Sequence, residues 1–185
     1  MTKPLRRDAA RNREKLLREA AEVFTEQGLD GSLEEIARRA GVSIGTLYNH
    51  FPTRDLLIDA LLPPRLAAVD EIAARAAAEP DAWTAFTGFV ADLLGRFTAD
   101  RGLLEAFTGH HHPAAVQLAE ACHRGMSHLS AILERVRDAG ALRADATDED
   151  VVDLVWALSL LGETTGSPSW RRCLEIVFDG LRNRP

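Results

Sequence analysis

Cysteine is nearly absent: Cys122 and Cys173 are the only two, far apart and outside any metal-ligand spacing. A disulfide framework is therefore not expected, and a reducing compartment is. No stretch approaches the roughly 20 apolar residues a membrane-spanning helix needs, and no apolar run at the start suggests a secretory signal. Period-two alternation, internal repeats and low-complexity linkers are missing as well. So are GxSxG, the phosphate-binding loop, HExxH and the glycine-rich dinucleotide fingerprint, and nothing sets a nucleophile beside a base, so an enzyme is not expected. Lysine is scarce too, 2 against 20 arginines. A GC-rich genome produces that bias, and it carries no functional weight.

What is present is helical periodicity almost everywhere, in 185 residues of which 46% are hydrophobic. That suffices for one core, or for a small domain joined to a larger one. The net charge of −6 argues against a polyanionic partner until its distribution is read. Residues 1–18 carry seven cations against two acids, a net of +5, whereas residues 63–185 carry 12 basic and 18 acidic residues, a net of −6. A basic start on an acidic body favours one docking orientation towards phosphate.

Residues 32–54 hold the most specific signal. Ser32 and Glu35 read as a capping box, with the serine accepting from the Glu35 amide and the carboxylate reaching back. Leu33, Ile36, Ala37 and Ala40 follow at helical spacing, and Gly41 stops the helix in a sharp turn. Ser43 caps a second short helix. Val42, Leu47 and Phe51 form its inward row, leaving Ile44, Gly45, Thr46, Tyr48, Asn49 and His50 on outward or flanking surface. Thr53 caps a further helix, with Arg54 at its start. Two short helices across a glycine turn, the second polar on its outer face, have the geometry of a DNA-reading helix-turn-helix.

The rest of the chain supplies the frame. A first helix is expected over about 8–27, with Leu17, Ala20, Ala21 and Phe24 as its buried stripe. A helix from Thr53 is expected to kink or break at Pro63-Pro64, where two amide donors are missing. Helices follow over about 81–99, 102–108, 114–139, 147–161 and 169–181.

From Arg11 to Leu61 the sequence resembles the TetR family of bacterial regulators. The resemblance rests on Ala20-Ala21-x-x-Phe24, Gly28, Ser32-Leu33, Ile36-Ala37, Ala40-Gly41-Val42-Ser43, Gly45-Thr46-Leu47-Tyr48, His50-Phe51 and Arg54-Asp55-Leu56. The family usually has threonine at the position of Ser32 and lysine at that of Arg54. Both departures keep the chemistry, a hydroxyl cap and a cation.

The resemblance implies an all-α fold of about nine helices. Residues 1–62 would form a three-helix DNA-binding domain and 63–185 a helical ligand-binding and dimerisation domain. It implies that the third helix enters the major groove of double-stranded DNA, with Ile44, Gly45, Thr46 and Asn49 near base edges. Ser32, Tyr48, His50 and Arg54 would grip phosphate, helped by the helix start near Ser43 and Thr53. Arg6, Arg7 and Arg11 would reach minor groove or backbone from an arm disordered without DNA.

The last two helices would make a homodimer through Val151, Val152, Leu154, Val155, Leu158, Leu161, Leu174, Ile176, Val177, Phe178 and Leu181. A small-molecule inducer would bind among helices five to seven, with the fourth as one wall. Its candidate lining is Phe86, Phe89, Val90, Leu93, Phe97, Leu103, Phe107, Cys122, Met126, Leu129 and Trp156. The expected function is a cytoplasmic, ligand-responsive repressor of a pseudo-palindromic operator, without cofactor. Two alternatives stay open: a regulator without an inducer, and a metal sensor using His110, His111, His112, His123 and His128.

Overall fold

The computed structural model describes residues 3–107, 116–165 and 169–183, without the side chains of 3–7, 116–119, 121, 122 and 163–165. The histidines at 110–112 and the side chains of Arg6, Arg7 and Cys122 lie outside that description. Among the described residues the fold is all helical: α1 Lys3–Gln27, α2 Leu33–Ala40, α3 Ile44–His50, α4 Arg54–Ala78, α5 Ala82–Ala99, α6 Arg101–Phe107, α7 Val116–Asp138, α8 Asp148–Thr165 and α9 Ser169–Leu181. The one sheet-like pairing among them is an isolated antiparallel bridge, Leu142 with Arg182.

The chain divides into two compact units, Met1–Arg65 with Asp100–Ala119, and Leu66–Ala99 with Glu120–Pro185. In the first, α1 packs on α2, α3 and α6. Its buried stripe is Leu16, Ala20, Val23 and Phe24, all at 0% exposure. Leu17 and Ala21, expected there, are only half-buried. Both sets follow the spacing of one helix face; the observed one is rotated about the axis so that Leu16 and Val23, rather than Leu17 and Ala21, face inward. Helix α6 lies close against the end of α1 because Gly102 has no side chain. A Cβ at that position would stand 2.8 Å from the Phe24 carbonyl oxygen.

Two further expectations are corrected. Helix α1 begins at Lys3 rather than near Asp8, so residues 3–7 continue the helix instead of forming an irregular arm. Pro4 does not oppose this, since first-turn residues have no amide partner to lose. Helix α4 is unbroken from Arg54 to Ala78 with Pro63 and Pro64 inside it. Both prolines are exposed, so water can serve the carbonyls four residues upstream. Buried Leu61, Leu62, Leu66 and Val69 anchor the helix on either side of them.

The second unit is built on α5, which packs on α8 and α9. Phe86 centres an aromatic cluster, 5.6 Å from Trp83 and 5.7 Å from Phe178 between ring centroids. At the end of α4, Arg135 of α7 donates to the Ala76 and Glu79 carbonyls at 3.0 and 2.7 Å. That satisfies acceptors a helix end leaves open. Val151, Val155, Leu158, Leu174 and Leu181, expected on a dimer face, are buried within the chain.

Candidate nucleic-acid interface

Local rules fold the helix-turn-helix. Ser32 caps α2, its Oγ accepting from the Glu35 amide at 3.2 Å. The Glu35 carboxylate accepts instead from Gln27 at 3.1 Å and Arg39 at 2.7 and 2.9 Å. The expected capping box is thus half-made. A guanidinium one turn away and a neighbouring amide offer charge-assisted and side-chain donors that outcompete one backbone N–H. The same two partners, Gln27 first, hold the Glu35 carboxyl below its ordinary pKa.

Gly41 ends α2 in the left-handed region, φ 70° and ψ 33°, which a Cβ disfavours. The Val42 amide closes the turn on the Ala37 carbonyl at 3.0 Å. Ser43 then caps α3, accepting from the Thr46 amide at 3.1 Å and sharing a 2.9 Å hydrogen bond with the Thr46 hydroxyl.

The two faces of α3 differ sharply. Leu47 and Phe51 are buried at 1% and 3%. Tyr48 is 46% exposed, Ser43, Gly45 and Asn49 are exposed, and Ile44, Thr46 and His50 are half-exposed. The His50 ring stands 6.4 Å from that of Phe51. Among the described residues nothing demands a glycine at 45: a Cβ there would meet only Ser43 Oγ, at 3.8 Å. Thr53 caps α4, accepting from the Leu56 amide at 3.3 Å.

Three basic residues complete the reader. Arg11 is exposed on α1. Arg13, which sequence reasoning passed over, lies 5.2 Å above the Phe51 ring; only the fold brings α1 to the end of α3. Arg54 directs Nη1 to the Leu29 and Gly31 carbonyls at 2.8 and 2.6 Å.

The expected ligand-lining residues are dispersed. Phe86, Phe89, Val90, Phe97 and Leu129 are buried and Leu93 and Trp156 half-buried in the second unit, where Met126 is 46% exposed. Leu103 and Phe107 belong to α6 in the first unit. A groove of about 180 Å³ runs between α4 and α5, floored by Ile72, Ala76, Ala85 and Phe89 and rimmed by Arg75, Glu79 and Asp92. Among α5, α8 and α9 the free space is about 10 Å³. His123 is exposed, and His128 Nε2 lies 3.3 Å from Asp70. Among the described residues, no three histidine, cysteine or acidic side chains are grouped to hold a metal ion. No described helix is long and apolar enough to cross a membrane.

A short, exposed, polar helix seated by a buried row behind a glycine turn defines a helix-turn-helix DNA-binding regulator. The chain belongs to the TetR family of bacterial transcriptional regulators. Residues 16–61 match the family's N-terminal model, bacterial regulatory proteins of the tetR family, and residues 81–183 match the C-terminal domain of SbtR-like transcriptional regulators.

A TetR regulatory protein from Mycobacterium vanbaalenii is 32% identical, with a TM-score of 0.58 over 97% of this chain and 100% of that one. AibR, solved with isovaleryl coenzyme A and operator DNA, shares the fold at 14% identity and TM-score 0.71, over 92% of this chain and 97% of its own. The HTH-type regulator YvdT of Bacillus subtilis is 38% identical over 73 residues, which is 38% of each chain. The match to this curated relative thus spans well under half its length.

Proposed function

We propose that the protein is a ligand-responsive repressor that binds a pseudo-palindromic operator as a homodimer in the cytoplasm, with residues 1–62 as reader and 63–185 as the ligand-binding and dimerisation part. The observation that carries the DNA half is the outer face of α3, where Gly45, Tyr48 and Asn49 are exposed. Thr46 and Ile44 flank them as base readers, while Tyr48, His50, Ser43 and the start of α4 at Thr53 hold phosphate. Gly45 lets the duplex backbone approach α3 closely.

One half-site is short, so specificity comes from two readers at fixed spacing. Leu160 and Ile176, 52% and 57% exposed on α8 and α9, support a dimer face there. That AibR is solved with both isovaleryl coenzyme A and operator DNA supports a small-molecule ligand for this fold. The ligand would act by preferring the conformation that misplaces the two readers. Its contacts would come from α5 and α7, with Phe89 already at the groove. A second reading is a regulator that needs no inducer.

The test is selection of bound DNA from a random pool by the purified protein. An enriched inverted repeat is expected. No enrichment by folded protein at low salt overturns the reading. Small molecules that fail to shift affinity for the enriched site favour the regulator without inducer.

A further inference from the structure

The turn between α1 and α2 is held from two directions. The Leu29 amide donates to Glu105 Oε2 at 2.6 Å, and the Leu29 carbonyl accepts from Arg54 Nη1 at 2.8 Å. One peptide segment thus links α6 to the first residue of α4. The same Arg54 nitrogen reaches the Gly31 carbonyl at 2.6 Å, and Ser32, the N-cap of α2, follows immediately. Glu105 is itself anchored within α6, where Arg101 Nε donates to its Oε1 at 2.9 Å. Gly28 makes room for this contact: a Cβ at that position would run into the Glu105 carboxylate. The Leu29 side chain is 1% exposed, so the turn cannot drift without uncovering it.

We propose that Glu105 is a positioning residue for DNA recognition: through the Leu29 amide it fixes where α2 begins, and hence the angle at which α3 is presented. Helix α6 follows α5 across the single residue Asp100. The chain re-enters the first unit at Asp100, where Arg65 of α4 also meets it. A carboxylate suits the task, since an ionised acceptor makes a shorter and stronger bond to a backbone N–H than a neutral one. The readout below rests on the dimeric reading proposed above.

The experiment takes the inverted repeat selected by the full-length protein and varies the spacer between half-sites. Affinities of wild type, Glu105→Gln and Glu105→Ala are compared across that series, with thermal unfolding of each. Loss of stability alone lowers the competent fraction equally at every spacing and leaves the preference unmoved. A positioning role loosens the preference. Discrimination between the best spacer and one a base pair longer or shorter should fall by about tenfold in Glu105→Ala, the equivalent of one hydrogen bond to a charged group. It should fall less in Glu105→Gln, whose amide oxygen still accepts. If Glu105→Ala does not fold, Glu105→Gln carries the comparison alone. Paired half-sites with an unchanged spacing profile in the folded variants overturn the proposal by itself. Absence of paired half-sites for wild type overturns the dimeric reading, and this one with it.

Discussion

Arg65 Nε and Asp100 Oδ2 are 2.8 Å apart, at two of the places where the chain passes from one compact unit to the other. Arg65 also donates to the Ala21 carbonyl at 3.0 Å and the Thr25 hydroxyl at 2.9 Å. Asp100 caps α6 by accepting from the Leu103 amide at 3.0 Å. The pair therefore ties α1, α4 and α6 together where the chain leaves the reader's unit along α4 and returns to it at Asp100. Asp100→Asn keeps the cap and removes the charge, and should cost about 1–2 kcal/mol of stability in denaturant unfolding. Asp100→Ala loses the cap too and should cost about 1 kcal/mol more. Equal losses in both variants would assign the whole effect to the ion pair.

Gly45 separates folding from binding. A glycine inside a helix costs about 0.5–1 kcal/mol relative to alanine, and no described neighbour requires one here. Gly45→Ala should therefore raise the melting temperature while weakening operator binding. A variant that is more stable and binds equally well would show that nothing approaches α3 closely at this position.

Thr46 and Tyr48 should divide the work of recognition. Tyr48→Phe is expected to weaken binding to all sequences alike, since a phosphate contact carries no base identity. Thr46→Ala is expected to change base preference; it removes the bond between the two hydroxyls and keeps the backbone amide on Ser43 Oγ. Binding selections on both variants check the assignment, and the opposite pattern reverses it.

Asp59 gives a pH dependence. Its Oδ1 is closed off from solvent without a hydrogen-bond partner among the described residues, and burial first, then Asp55, pushes its carboxyl above the ordinary aspartate range. A raised acid in the folded state binds its proton more tightly than in the unfolded chain. Its neutral form is thus favoured at low pH, and stability falls as pH rises from the ordinary aspartate value through the raised one. Asp59→Asn should remove that slope and stabilise the protein at neutral pH, since the amide carries no charge to bury or to repel Asp55. Unfolding curves across pH, showing the same slope in both proteins, would place the titration elsewhere.

Much of this was legible in the sequence because it is local. Ser32, Ser43 and Thr53 each cap the residues three positions on. Gly41 takes the left-handed conformation its place predicts, and Leu47 and Phe51 are buried as their spacing requires. Ser169–Leu181 runs between the bounds expected. These features need only neighbours within one or two helical turns, so residue order fixes them. The helix through Pro63 and Pro64 was misread because local sequence shows the missing donors. It does not show the exposed face on which water can replace them, nor the buried leucines that anchor the helix on either side.

What the sequence by itself determined is the all-helical class, the reader and the separation of a basic start from an acidic body. What only tertiary structure decided is who meets whom across long separations. Examples are Glu105 on the Leu29 amide 76 residues away, Arg54 on the Leu29 and Gly31 carbonyls, and Arg13 over Phe51. An arginine or glutamate has the same sequence signature whether it faces water, phosphate or a backbone amide. Its partner depends on which helix the fold lays beside it, and that is set by packing of the whole unit.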